Sequence, residues 1–170
     1  PEALLQSVGT YGAKLCYLSN PDNPMGSWIL AKDILNMLDK MPEECLLVLD
    51  EAYQDFAPAD ALLPNNFTHP QLLRFRTFSK AHGLAGLRVG YVFGPEHLVR
   101  AFNKIRNHFG MNRLGLTAAM TSLDDKEHLE NVRRQVAASK AKIKHIAQAH
   151  GCNTLPSATN FVAVDLGGDG

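Results

Sequence analysis

The spacing of apolar and polar residues changes several times along the chain, and each change marks an element. Residues 13–18 form a short apolar run that ends in Ser19-Asn20-Pro21-Asp22-Asn23-Pro24-Met25-Gly26. Two prolines, two asparagines, an aspartate and a glycine within those eight positions dictate a turn. Ser27 is then placed to cap a helix from 28 to about 40, with Ile34, Leu35 and Leu38 on one stripe and Pro42 closing it. Residues 45–49 are continuously apolar, as in strands buried on both faces of a parallel sheet, and lead into Asp50-Glu51-Ala52-Tyr53. The proline- and asparagine-rich stretch 54–70 is an excursion. Two strand-like runs follow, 72–78 and 87–93. The link between them is too short for a helical crossover, so the second is expected to run antiparallel to the first or to join the sheet elsewhere.

Helical spacing governs the second half. Gly94-Pro95 restarts a helix to about 107, Gly110-Met111-Asn112 interrupts, and a further helix covers about 113–123. Asp124 or Asp125 can cap a long helix over 127–149, whose apolar positions Leu129, Val132, Val136, Ile143 and Ile146 keep one face. Gly151 is the expected residue beyond its C-terminus. Residues 159–166 alternate and predict the first strand of a second unit. Strand, helix, strand, strand with polar residues at the strand ends describes an α/β sheet domain. Ligands in such sheets gather beyond the carboxyl ends of the strands. There the chain delivers Asn23, then Asp50 and Tyr53, then Thr77, Ser79 and Lys80.

Composition narrows the class without naming a function. With 170 residues, 45% apolar and 20% charged, the chain reads as a soluble globular protein with one good core, or one domain and part of another. Its 17 basic and 17 acidic residues cancel, which removes any electrostatic case for nucleic acid or an anionic membrane. The clusters Lys140, Lys142, Lys144 and Arg100, Lys104, Arg106 are expected to be solvated helix faces. Three scattered cysteines, Cys16, Cys45 and Cys152, predict free thiols in a reducing compartment, the first and second buried. The seven histidines form no metal-binding pattern, and no metal is expected. No apolar run approaches the ~20 residues that span a bilayer, and a cytoplasmic location is expected. Beginning at Pro1 and stopping at Gly167-Gly168-Asp169-Gly170, the sequence is expected to be a piece of a longer protein.

The candidate chemistry centres on Arg76-Thr77-Phe78-Ser79-Lys80 and the glycine-punctuated Gly83-Leu84-Ala85-Gly86-Leu87-Arg88-Val89-Gly90-Tyr91. A lysine beside two hydroxyls and an arginine suits a carbonyl compound that also carries a phosphate. The amine can form a Schiff base. The arginine fork and the hydroxyls can bind a phosphate dianion. A solvated basic loop is the plain alternative. Asp50-Glu51 after an apolar strand also fits the acidic strand end of an ATPase, but no GxxxxGK[ST] loop precedes it. Thr77 and Lys80 have the spacing of an acyl-transfer pair without its companion motifs. Gly83, Gly86 and Gly90 lack the spacing of a dinucleotide fingerprint.

Taken together, three segments resemble one family. Asn20-Pro-Asp-Asn23-Pro-Met-Gly26 is similar to the NPxNPTG turn of fold-type I pyridoxal-phosphate (PLP) aminotransferases, Asp50-Glu-Ala-Tyr53 to their DEAY segment, and 79–91 to their SKxxGLAGLRxGY segment. The wording is closest to the histidinol-phosphate aminotransferase branch, and the likeness runs from 13 to about 165.

The resemblance implies a mostly parallel sheet with flanking helices over residues 1–108, linking helices over 109–150, and the first part of a small α+β domain over 151–170. It implies pyridoxal 5′-phosphate as cofactor, an amino donor and a carbonyl acceptor as substrates, and a homodimer. Lys80 is then the lysine that holds the cofactor and shuttles the proton, and Asp50 the carboxylate partner of the pyridine nitrogen. Asn23 and Tyr53 become donors to the ring's phenolic oxygen. Thr77, Ser79 and Arg88 become phosphate ligands, and Asn160 a substrate-side residue or merely a strand-end turn. Met25 departs from the family's threonine. The same motifs serve PLP decarboxylases of phosphorylated amino acids, and a catalytically incomplete PLP-binding fragment is the remaining alternative. A glycine-containing phosphate loop and an aromatic ring partner are expected before Pro1, and a carboxylate-binding arginine after Gly170.

Overall fold

A computed structural model describes residues 1–107 and 109–168. His108, which ends the expected first domain, and the last two residues of the expected small-domain segment lie outside it. Four strands form the main sheet in the order β1-β2-β3-β4: β1 is Leu15–Ser19, β2 Leu46–Asp50, β3 Leu72–Thr77 and β4 Gly90–Phe93. The first three are parallel, and β4 returns antiparallel to β3, with Thr77 opposite Gly90. Among the described residues five α-helices accompany them: α1 (Glu2–Tyr11), α2 (Ala31–Lys40), α3 (Glu96–Phe102), α4 (Arg113–Asp124) and α5 (Lys126–Ala149). A separate two-stranded sheet pairs β5 (Asn153–Thr154) with β6 (Val164–Asp165). Among the described residues no helix is long and apolar enough to cross a membrane.

Strand register sorts the side chains onto two faces. Cys16 pairs with Leu47 and Leu18 with Leu49; Leu47 and Leu49 then pair with Leu72 and Arg74. This face carries the core, closed by Val8 of α1 and by Ile34, Met37 and Leu38 of α2. The spacing of those α2 residues is what lays one stripe of the helix on the sheet. The alternate residues Tyr17, Val48, Asp50, Phe75 and Thr77 face the other way, where Val48 and Asp50 are only half-buried and Tyr17 is exposed. The strand at 45–49 is thus not sealed on both sides as its apolar run predicts.

Other boundaries moved for identifiable reasons. The helix starts at Ala31 rather than 28, and Ser27 does not cap it. The buried Asn20 side chain grips Ile29 instead, accepting from its N–H at 2.8 Å and donating to its C=O at 3.1 Å, which holds residues before the helix extended. The fourth strand begins at Gly90, not 87, because a 3-10 turn over Ala85–Leu87 ends on Arg88 in the left-handed region, φ 54°. Helix α3 stops at Phe102, short of 107. The alternating stretch 159–166 yields only Val164–Asp165 as strand. There the Ser157 and Thr159 hydroxyls both donate to Phe161 C=O and bend the segment locally. Helix α1 had no strong pattern and was not predicted. The Asp125 cap and the left-handed Gly151 beyond α5 are as expected.

Lys140 corrects the solvated-face reading of its cluster. Its ammonium donates to Ser157 C=O at 2.7 Å and Thr159 C=O at 2.9 Å, and burial pulls its pKa below the ordinary lysine value. The Cys16 and Cys45 thiols are free and buried, and burial raises both pKa values.

Candidate functional site

The carboxyl ends of the three parallel strands and the amino end of β4 meet at one edge of the sheet. Thr77, Ser79, Lys80, Arg88 and Asp50 line one cleft of about 630 Å³ there. An adjoining cleft of about 550 Å³ is lined by Tyr17, Asn23, Tyr53 and again Asp50. Asp50, the last residue of β2, therefore stands between the two. Close approach of β4 depends on Gly90, where a Cβ would sit 2.8 Å from Arg76 C=O.

Each side chain is held by its own local device. Asp50 accepts from the Ala52 N–H at 3.0 Å on Oδ1 and from the Tyr17 hydroxyl at 2.6 Å on Oδ2. Tyr17 in turn is pushed up to about 12, first by that hydrogen bond, then by burial and the charges of Asp50 and Asp22. Tyr53 accepts from Asn23 Nδ2 at 3.0 Å, which leaves its own proton free to donate elsewhere. The Lys80 ammonium lies 5.2 Å from the Tyr53 ring centroid, within range of a cation–π contact. Thr77 Oγ1 accepts from the Ser79 N–H at 3.0 Å, closing a tight turn ahead of the lysine. Arg88 spends one N–H on Ala85 C=O, and its left-handed backbone costs about 1–2 kcal/mol.

The turn between β1 and α2 is pinned from the far end of the chain. Gly26, at φ 78°, receives Ala158 N–H on its C=O at 2.8 Å, and a Cβ on it would stand 2.5 Å from Ser157 Oγ. Glycine is required here on both counts. Met25, where the family has threonine, is exposed. Phe161 completes the clasp, its ring edge-on to Tyr53 with centroids 5.4 Å apart. Of the residues singled out from sequence, Asn160 is the one that lines neither cleft; it sits exposed beside Phe161.

Two features escaped sequence reading. One is Tyr17; strict alternation in β1 would have turned it toward Asp50's face. The other lies beneath the site, where Glu51 binds two arginines. Arg74 donates from Nε and Nη2 to its two oxygens at 3.0 and 2.7 Å, and Arg76 Nε donates at 2.8 Å. Arg74 and Glu51 are only 1% and 4% exposed. Both guanidinium groups also lie over the Phe93 ring, at 4.7 and 4.9 Å. Burial works against the Arg76 charge, but Glu51 and Tyr91 outweigh it and raise its pKa. Alternating arginines at 74 and 76, aimed at one glutamate, were the available signal.

Comparison with known proteins matches residues 2–169 to the family model "Aminotransferase class I and II". The chain is 40% identical over 171 residues to histidinol-phosphate aminotransferase 2 of Pseudomonas aeruginosa, covering 99% of itself and 46% of that protein. It superposes on a histidinol-phosphate aminotransferase from Sinorhizobium meliloti, solved in complex with pyridoxal-5′-phosphate, with a TM-score of 0.95 and 51% identity, covering 99% of this chain and 46% of that one. An L-threonine-O-3-phosphate decarboxylase from Porphyromonas gingivalis shares the fold at TM-score 0.73 and 24% identity, over 86% of this chain and 45% of that one. The chain thus spans about half the length of the relatives it matches.

Proposed function

The chain belongs to the class I and II aminotransferases, and on that basis we propose that it forms the cofactor-bearing part of a PLP-dependent aminotransferase similar to histidinol-phosphate aminotransferases. One observation carries this reading: an amine, a carboxylate and a set of phosphate-binding groups line a single cleft, as Lys80, Asp50 and Thr77, Ser79 and Arg88. The donor set fits pyridoxal 5′-phosphate, and about 630 Å³ is ample for a group of that size. When bound, PLP supplies a carbonyl that condenses with amines and a ring that accepts the electrons released at the neighbouring carbon.

The chain's own residues do the rest. Lys80 holds the group through its side-chain nitrogen and afterwards carries a proton on Nζ to and from the substrate carbon. Asp50 keeps a negative charge against the pyridine nitrogen. From the adjoining cleft, Asn23 orients Tyr53, whose hydroxyl is then the donor to the ring's phenolic oxygen. Thr77, Ser79 and the free part of the Arg88 fork grip phosphate oxygens. Asn160 is assigned to the substrate side, carried by the same turn as Phe161. An amino donor and a carbonyl acceptor, a keto acid or a phosphorylated carbonyl compound, take turns in the cleft.

The domain division belongs to the same proposal: a large-domain part to 108, linking helices to 150, and the beginning of a small domain after that. The separate β5–β6 pairing beyond the 24-residue helix α5 supports it. A cytoplasmic homodimer belongs to the proposal too, its interface favoured by apolar side chains left open on α4, among them Leu114, Met120 and Leu123.

The test uses the full-length protein. Borohydride should fix PLP to Lys80, and Lys80→Ala should abolish both the fixed label and amino transfer to a keto acid. Turnover retained by that variant rejects the assignment. Carbon dioxide release in place of keto-acid formation gives the decarboxylase alternative instead.

A further inference from the structure

Tyr17 lies on a strand whose sequence carries no site motif, yet its hydroxyl makes the 2.6 Å bond to Asp50 Oδ2. A carboxylate held at one oxygen can still turn about its last side-chain bond, since that torsion is broad. Here the second oxygen is tied as well, by Ala52 N–H at 3.0 Å. The two donors come from different elements, β1 and the loop after β2, so both must move before the carboxylate can rotate. Register makes the reach possible. Tyr17 pairs with Val48, two residues before the Ser19–Asp50 pair, on the same face of the sheet. Only a long side chain ending in a donor spans that offset.

We propose that Tyr17 is a positioning residue for the amino-transfer reaction, holding the Asp50 carboxylate in one orientation as the charged partner of the cofactor's ring nitrogen. This rests on the cofactor reading given above. The bond is charge-assisted, and therefore stronger than one between neutral groups. The hydroxyl keeps its proton across the neutral range, since its pKa is pushed up to about 12. Tyr17 is 61% exposed, so its ring adds little to the core, and a phenylalanine there removes only the donor.

The experiment measures PLP affinity of the full-length apo-protein by absorbance titration for the unmodified protein, Tyr17→Phe, Asp50→Asn and the double variant. Removing the hydroxyl should weaken PLP binding about tenfold, in line with loss of a hydrogen bond to a charged group. In the Asp50→Asn background the same change should matter less than about twofold, because the charge it orients is gone. A PLP analogue with carbon in place of the ring nitrogen should bind Tyr17→Phe and unmodified protein equally. Unfolding midpoints of the apo forms report whether the fold is intact. Equal affinity with and without the hydroxyl, or equal losses for PLP and its carbon analogue, overturns the proposal while leaving the cofactor reading in place. An unmodified protein that takes up no PLP removes both.

Discussion

Asp50 and Glu51 are consecutive carboxylates at the end of β2, and the sheet sends them in opposite directions. Glu51 turns to the closed face, is 4% exposed, and is neutralised by Arg74 and Arg76. Asp50 turns to the open face, half-buried, where its partners are a phenol and one backbone N–H and where two clefts meet. The buried acid has matched cations and is committed to the fold. Among the described residues the other is held by neutral donors and has no ion-pair partner, which suits the ligand-facing role proposed for it. A net negative group with no cation of its own is what a protonated ring nitrogen requires. The same chemical group is thus a structural tie in one place and, in the function proposed above, a site residue in the next, and the period-two geometry of the strand decides which.

This contrast can be tested by exchanging each acid for its amide. The largest effect is expected for Glu51→Gln, which leaves two arginines buried beside a neutral amide. It should cost about 3–5 kcal/mol of unfolding free energy, measured by denaturant titration. A loss below about 1 kcal/mol would mean that the triad contributes little and that the closed face is sealed by its apolar residues alone. Next comes Asp50→Asn. Its expected signature is reversed: kcat reduced about 10²–10³-fold, with the unfolding midpoint nearly unchanged. If the two amides gave the same pattern, strand direction would not be what separates their roles.

The smallest expected effect concerns the open face alone. Tyr17 is pushed up from 10.0 to about 12, chiefly by its bond to Asp50. Because the folded value is the higher one, the stability the bond contributes is complete below pH 10.0 and falls away as pH rises through about 12. Tyr17→Phe should therefore lose less stability than the unmodified protein between those pH values, as read from unfolding curves. Parallel curves would show that the phenol is not coupled to folding.

Sequence reading and structure agree best where the physics is local. The prolines, asparagines and glycine of 19–26 dictate a turn whatever surrounds them. The runs at 45–49 and 72–78 form strands over Leu46–Asp50 and Leu72–Thr77, and of the two arrangements the short link after Lys80 allows, β4 takes the antiparallel one. The carboxyl-end clustering of Asn23, Asp50, Tyr53, Thr77, Ser79 and Lys80 followed from strand order alone. Agreement fails where a distant side chain overrides local preference. Asn20 displaces the Ser27 cap by holding Ile29, Ser157 and Thr159 dissolve most of an expected strand, and Lys140 leaves solvent to bind their carbonyls.

By itself, then, the amino-acid sequence determined the turns, the strand and helix periods, and which reactive groups stand at the strand ends, because each depends on residues a few positions apart. The faces were decided only by tertiary structure. Tyr17 meets Asp50 from 33 positions away, and Glu51 meets Arg74 from 23. Contacts of that span exist only once parallel strands have locked their register, since a slip of one residue would send every side chain to the opposite face.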